Sequence, residues 1–170
     1  ATEGAALLSP RYDAETARAE FGAGDTFVPP VVGVGNPAEH THGEVDAELG
    51  RAPRSVEATY ETPSQYHNAM EPHATTAVWE GDSLTVWDAA QNIDWFRKHL
   101  ARRFDVPVEK VRVLAPFVGG GFGAKGFVWS GTLLTVMAAR ATGRPVRMAL
   151  TREGVYRTVG GRTPTTQRVA

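Results

Sequence analysis

The stretch VRVLAPFVGGGFGAKGFVWSGTLLTVMAARATG, residues 111–143, decides the fold because it places a glycine-rich loop between a predicted strand and a predicted helix. The apolar residues of 110–118 are typical of a strand. Residues 127–143 predict a strongly apolar helix that a glycine ends. Between them, five glycines occupy the eight positions 119–126. A strand, a glycine run and a helix in this order can bring backbone N–H groups against a negatively charged ligand.

The flanking segments predict a mixed α/β fold. Alternating apolar residues predict further strands at 55–61, in both halves of 74–90, at 145–150 and from Thr165 onwards. Apolar residues at helical spacing predict a helix over 92–104 with Asn92 as its N-cap. Residues 151–159 are expected to form a short helix or a turn.

The chain is expected to consist of an irregular arm, residues 1–52, and an α/β domain, residues 53–170. Within the arm, residues 13–21 could form a short helix, whereas residues 27–43 are rich in proline and glycine and predict little regular structure. The domain is expected to be incomplete, because the sequence opens without methionine and stops within its last extended segment.

Composition excludes several classes of site. The 170 residues include no cysteine, so a disulfide, a thiolate metal site and an iron–sulfur cluster held by this chain are excluded. No apolar run approaches the roughly 20 residues that cross a bilayer, so no membrane span is expected, and no nucleic-acid partner is expected either. The compartment, bacterial cytoplasm or periplasm, stays open.

Charge is distributed unevenly along the chain. Residues 1–120 hold 10 basic and 18 acidic residues, a net charge of −8. Residues 121–170 hold 8 basic residues and one acid, Glu153, a net charge of +7. Either the last third faces an anion or an acidic surface, or the two parts neutralise each other within one larger fold.

Three interpretations of the glycine loop follow from its residues alone. A P-loop is excluded, because Gly126 follows Lys125 where a Ser or Thr would hold magnesium. A Rossmann-like dinucleotide-binding module fits Gly121, Gly123 and Gly126, but the acid expected about 20 residues later is absent. A tight turn without a ligand explains two glycines, but not five of them around the large Phe122.

The segment YHNAMEPHATTAVWEGDSLTVWDAAQNID, residues 66–94, and the later VGGGFGAK, residues 118–125, together resemble a known family. They are similar to the molybdenum-binding subunit of the xanthine dehydrogenase/aldehyde oxidoreductase family. The shared features, in order, are a His-x-x-x-Glu-Pro segment, a hairpin ending in glutamine, a helix and a Gly-Gly-Gly-Phe-Gly loop. With the stretch at 159–165, they resemble the bacterial periplasmic-type aldehyde oxidoreductases in particular. The fold class that this implies is part of a molybdopterin-binding domain.

The resemblance implies a cofactor site but no catalytic residue in this chain. The residues expected at the molybdenum cofactor, a molybdopterin cytosine dinucleotide, are Gln91, Gly120, Gly121, Phe122 and Gly123. Gln91 would donate its amide to the cofactor; alternatively, it is a solvent-exposed residue at the entrance of the helix. The family's catalytic glutamate is expected beyond Ala170, so the chain alone would be inactive.

The resemblance also implies a reaction and partners. The family oxidises aldehydes or related N-heterocycles, and water is the source of the oxygen in the carboxylic acid product. Its xanthine-oxidising branch has glutamate after the loop lysine, whereas this chain has Gly126, which favours an aldehyde substrate. The expected partners are the rest of the large subunit, a 2Fe–2S subunit and an FAD subunit, in a heterotrimer.

A separate metal site formed by His67, Glu71 and His73 is an alternative hypothesis. Alternate residues of a strand share one face, and two histidines with a carboxylate can bind iron or zinc. Pro72 interrupts that strand, however, and the family does not use this segment for metal binding. These side chains are therefore expected to support the pocket wall, and no metal ligand is predicted in the chain.

Overall fold

The computed structural model describes residues 2–17, 24–33 and 35–170. The chain divides into two compact units, Ala1–Ala58 with Arg168–Ala170, and Thr59–Gln167. Over the described ranges, no helix is both long and apolar enough to cross a bilayer.

The first unit contains short elements only. Its elements are helix α1 (Thr2–Ala6), the antiparallel strands β1 (Val31–Val32) and β2 (Asn36–Pro37), and helix α2 (Val45–Arg51). Helix α2 was not predicted; it has no buried residue, and a surface ion pair joins Arg51 to Glu48 at 2.9 Å.

The helix predicted for residues 13–21 is not formed over residues 13–17, and residues 18–21 lie outside the described residues. Short helices without a packed face are marginal in water, and residues 13–17 are exposed.

The second unit is built on a four-stranded sheet. Its strands are β4 (Ala74–Glu80), β5 (Ser83–Asp88), β6 (Val111–Leu114) and β7 (Val146–Ala149), in the order β6-β5-β4-β7. Strand β4 runs antiparallel to both β5 and β7, and only the β5–β6 pair is parallel. This topology differs from the parallel, doubly wound sheet of a Rossmann domain, so the dinucleotide-binding alternative is wrong.

Two helices cover the sheet and form the core with it. Helix α3 (Ile93–Phe104) contacts β6, and helix α4 (Ser130–Thr142) contacts β4 and β7. The buried residues between the two layers include Ala77, Leu84, Val86, Phe96, Leu100, Val113 and Val136. They are the inward-facing residues of the alternating strands and of the apolar helix faces, as the sequence patterns predicted.

The remaining elements of the second unit are short. A 3₁₀ turn, Val108–Lys110, leads into β6, and helix α5 (Arg152–Thr158) follows β7. Strands β3 (Ala58–Thr62) and β8 (Thr165–Val169) form a separate two-stranded sheet.

Local signals set the ends of the two main helices. The Asn92 side chain accepts a hydrogen bond from the Trp95 amide at 3.2 Å, which confirms the predicted N-cap of α3. Gly143 takes the left-handed conformation that ends α4, with φ of 62°. Strand β6 is shorter than predicted and ends at Leu114, because Pro116 has no N–H to donate to a neighbouring strand.

Truncating a core side chain of the second unit should lower the free energy of unfolding far more than truncating a surface side chain. Leu100 is fully buried, whereas Leu134 on α4 is 56% exposed. We expect Leu100→Ala to lower the free energy of unfolding by about 2–5 kcal/mol, since it removes apolar contacts and leaves a cavity. Leu134→Ala should cost much less. Urea unfolding checks this, and equal losses for the two variants would contradict the described core.

Candidate functional site

The glycine loop, residues 119–126, connects β6 to α4 through an unusual backbone path. Positive φ angles occur at Gly120 (86°), Phe122 (54°) and Gly123 (101°). For Phe122 this left-handed conformation is strained, and the ring is nevertheless 62% exposed. Strained residues of this kind concentrate at functional sites, where surrounding contacts hold them in place.

Glu71 fastens the loop at both ends. Its Oε2 accepts a hydrogen bond from the Gly119 amide at 2.8 Å and one from Lys125 Nζ at 2.6 Å. Its own amide donates to the Gly119 carbonyl at 3.0 Å. A single side chain therefore joins the first glycine of the loop to the lysine near its end.

Gln91 fastens the second half of the loop. Its Oε1 accepts hydrogen bonds from the amides of Gly123 and Lys125, both at 3.1 Å. The main-chain N–H of Gln91 donates to the Lys125 carbonyl at 2.8 Å. Because Oε1 is engaged in this way, the Nε2 group, which can only donate, stays available for another acceptor.

The side chains of Glu71 and Gln91, which we call the two clamps of the loop, require glycine at two loop positions. A Cβ on Gly119 would lie 2.5 Å from the Cβ of Glu71. A Cβ on Gly121 would overlap the carboxamide of Gln91. At these two positions, the missing side chains make room for the protein's own residues, not for a ligand.

Three successive backbone amides remain without a protein acceptor. Among the described residues, the N–H groups of Gly120, Gly121 and Phe122 donate to no oxygen, and neither does Gln91 Nε2. The φ angle is positive at Gly120 and at Phe122, and successive amides in a turn of this kind can form a concave nest for an anion. The five residues predicted at the site thus lie together, since Gly123 connects the nest to Gln91.

Lys125 is a buried charge that sequence analysis did not assign to the site. The residue is only 1% exposed, and Glu71 is its sole ion-pair partner among the described residues. Burial raises the pKa of Glu71, but the hydrogen bonds from Lys125 and Gly119 and the charge of Lys125 together outweigh this, so the pKa lies below its usual value. Glu71 is therefore held as a carboxylate.

His73 contacts the loop at Ala124. Its Nε2 lies 3.3 Å from the Ala124 carbonyl, which can only accept, so Nε2 carries the proton of the neutral ring. Its Nδ1 is buried and has no hydrogen-bond partner in the described part of the chain. Burial lowers the pKa of His73, and the nearby charge of Lys125 lowers it further.

Asp88 forms a second buried polar group, at the end of β5. Its Oδ2 accepts hydrogen bonds from the hydroxyl groups of Thr75 at 2.6 Å and Thr132 at 2.9 Å. Burial raises the pKa of Asp88, although both hydroxyl groups oppose that effect. These contacts join β4, β5 and α4 next to the loop.

His67, Glu71 and His73 line the same small cavity but have different partners. Glu71 is paired with Lys125, His73 contacts Ala124, and His67 lies beside Gly123. Within the ranges described, no three histidine, aspartate or glutamate side chains are arranged to hold a metal ion.

The chain is similar to a known family and to known proteins. A family model described as the molybdopterin cofactor-binding domain matches residues 31–170. The molybdenum-binding subunit PaoC of the aldehyde oxidoreductase of Escherichia coli K12 is 46% identical over 127 residues, 75% of this chain and 17% of that subunit. The putative xanthine dehydrogenase subunit XdhA of the same strain is 34% identical over 115 residues, 67% of this chain and 15% of that subunit.

A solved structure supports the fold. The aldehyde oxidoreductase of Desulfovibrio gigas superposes with a TM-score of 0.64 at 24% identity, over 71% of this chain and 13% of that chain. The chain thus spans less than a fifth of the length of each of these three proteins.

Replacing Gly121 should disturb the Gln91 clamp. We expect Gly121→Ala to lower the free energy of unfolding by about 1–3 kcal/mol, since the added methyl group must displace the carboxamide of Gln91. Gly50→Ala is the control, because nothing lies within 4 Å of the added methyl group. In helix α2 it should be neutral or stabilising by up to about 1 kcal/mol. Equal effects of the two substitutions in chemical unfolding would contradict the described contact.

Protonation of His73 should make the fold sensitive to mild acid. The folded-state pKa lies below the unfolded value of 6.5, so between these values the unfolded chain binds the proton and the native chain does not. We expect the free energy of unfolding to fall as the pH drops below 6.5, and His73→Gln to lose that part of the pH dependence. Unfolding curves from pH 8 to 5 measure both. Identical slopes would show that His73 is not held neutral.

Proposed function

The chain belongs to the molybdopterin cofactor-binding domain family, and on that premise we propose that it forms part of the large subunit of a molybdenum hydroxylase. The proposed reaction is the oxidation of aldehydes, or of related N-heterocycles, with water as the source of oxygen. With an aldehyde substrate, the product is a carboxylic acid. The cofactor, when bound, supplies the two-electron oxidation chemistry.

The observation that carries this proposal is the set of unused donors on the glycine loop. The amides of Gly120, Gly121 and Phe122 and the Nε2 group of Gln91 have no acceptor among the described residues. Successive backbone donors without a protein acceptor suit a ligand with negatively charged oxygens. The molybdenum cofactor, in its proposed cytosine dinucleotide form, has that chemistry, so the residues present fit it.

The residues of this chain would bind and orient the cofactor. Gln91 is suited to this role because its amide donates without titrating, so its hydrogen bond does not depend on pH. Gly123 belongs to the proposed set through its bond to Gln91, which holds the carboxamide in one orientation. Phe122 would cover the cofactor with its exposed ring.

A base for proton transfer must come from elsewhere in the enzyme. Glu71 is the carboxylate that contacts the loop, but Lys125 and Gly119 occupy its Oε2 and its pKa is lowered. A carboxylate held in this way is a poor proton acceptor. We therefore propose that a glutamate outside these 170 residues serves as the base.

An aldehyde is favoured over a purine as the substrate. Gly126 has no side chain to contact a purine ring, at the position where the xanthine-oxidising branch carries glutamate. The higher identity to the aldehyde oxidoreductase subunit, 46% against 34% for the xanthine dehydrogenase subunit, supports the same choice.

Electrons would leave through partner subunits. These 170 residues contain no cysteine, so an iron–sulfur cluster would need ligands from outside them. We propose a bacterial heterotrimer with a 2Fe–2S subunit and an FAD subunit. Within the large subunit, residues 53–170 would form part of the cofactor domain and residues 1–52 an arm that precedes it.

Analysis of the assembled native protein tests the proposed function. About one molybdenum per large subunit and a cytidine nucleotide on acid hydrolysis of the cofactor are expected. Oxidation of an aldehyde in ¹⁸O-labelled water should place the label in the carboxylate product. Absence of molybdenum from the complete protein, or a label-free product, would overturn the proposal.

Gln91 should matter to turnover more than Gln167, although both residues are exposed. We expect Gln91→Ala to lower kcat of the complete enzyme by about 10²-fold, which is typical for the loss of one preorganised hydrogen-bond donor. Gln167→Ala, in the exposed strand β8, should leave kcat unchanged. Steady-state kinetics per bound molybdenum make the comparison. A Gln91→Ala enzyme with full kcat would remove Gln91 from the site.

A further inference from the structure

The side chain of Lys125 is buried inside the protein, and its ammonium contacts the Glu71 carboxylate. It is 1% exposed, and a lysine ammonium is buried only when it is paired. Its partner, Glu71, lies 54 residues earlier in the chain, at 2.6 Å. A pair of this kind keeps two distant segments in a fixed arrangement, since the ammonium of Lys125 left alone would be buried without compensation, whereas the Glu71 side chain is partly exposed.

Lys125 is also the residue at which the two clamps of the loop meet. Its Nζ binds Glu71, while its main-chain N–H and carbonyl both bind Gln91, at 3.1 and 2.8 Å. Glu71 additionally holds Gly119, at the other end of the loop. Movement of the Lys125 backbone would thus change its two hydrogen bonds to Gln91. It would also shift the loop segment that contains the free amides of Gly120, Gly121 and Phe122.

We propose that Lys125 and Glu71 are positioning residues, which act through the loop backbone to fix the Gln91 carboxamide and the amides of Gly120, Gly121 and Phe122. This role rests on the proposed function. In this proposal neither residue contacts the cofactor or the substrate. The ammonium of Lys125 is paired with the Glu71 carboxylate.

The glycines of the loop agree with this role. Gly119 has no Cβ because Glu71 occupies that space, and Gly121 has none because Gln91 does. The two glycines thus leave the space that the side chains of Glu71 and Gln91 need to approach the loop backbone. An ion pair that only stabilised the fold would not need the carboxamide of Gln91 packed against the same backbone.

The test compares variants of the complete enzyme. Lys125→Met keeps an unbranched side chain of similar length in the buried site but removes the charge. Glu71→Gln keeps the shape of the carboxylate and its acceptor for Gly119, and therefore serves if Lys125→Met does not fold. Lys110→Met is the matched control, because Lys110 forms an ion pair with Asp82 on the exposed hairpin and is itself 42% exposed.

Two readouts are needed. Hydrogen exchange of the peptide containing residues 119–126 should accelerate at least tenfold in Lys125→Met and Glu71→Gln, and not in the control. The kcat per bound molybdenum should fall at least tenfold with KM nearly unchanged, since the substrate is still bound but the donors are misaligned. Unchanged exchange, or full kcat per bound molybdenum despite faster exchange, would overturn the positioning role.

Failure of the proposed function would give a different result. If the wild-type protein contained no molybdenum, the hydroxylase assignment would fall, and with it the role in positioning donors for the cofactor. The exchange measurement would still report whether Lys125 holds the loop. If molybdenum is present and only the exchange prediction fails, the hydroxylase assignment stands and the positioning role falls.

Discussion

The counter-charge that buried Lys125 requires is the constraint on which the site depends. Glu71 supplies it, and the same carboxylate oxygen holds Gly119. Because an unpaired ammonium in this position would be strongly unfavourable, the loop cannot leave the segment of Glu71 without a large cost. The backbone between Gly119 and Lys125 is thereby fixed at both ends, and it contains the amides of Gly120, Gly121 and Phe122, which have no acceptor among the described residues.

The architecture of the sheet brings the three parts of the site to one place. The segment that carries Glu71 enters β4, Gln91 follows β5, and the loop follows β6. Strand β5 pairs with both β4 and β6, so these three connections meet near the same edge of the sheet. Asp88 and its two threonines, which join β4, β5 and α4, stabilise this arrangement beneath the loop.

Local sequence patterns predicted most of the second unit. The hairpin of β4 and β5, the capped helix α3 and the glycine end of α4 follow from alternation, helical spacing and single capping residues. Helix α2 was missed, since its seven residues bury nothing and its surface pair of Glu48 and Arg51 leaves only a weak periodic signal. The sequence could not exclude the Rossmann alternative, because the direction of a strand depends on pairings that no local pattern encodes.

The sequence alone determined which residues line the loop and which family it resembles, because glycine runs and ordered motifs are local properties of the chain. Only the tertiary structure decided why Gly119 and Gly121 lack side chains, since the atoms that fill their space belong to Glu71 and Gln91. It also decided that Lys125 is an inward-facing partner of Glu71. Contacts between residues 54 positions apart depend on the packing of the whole sheet, and the sequence shows no spacing from which they could be derived.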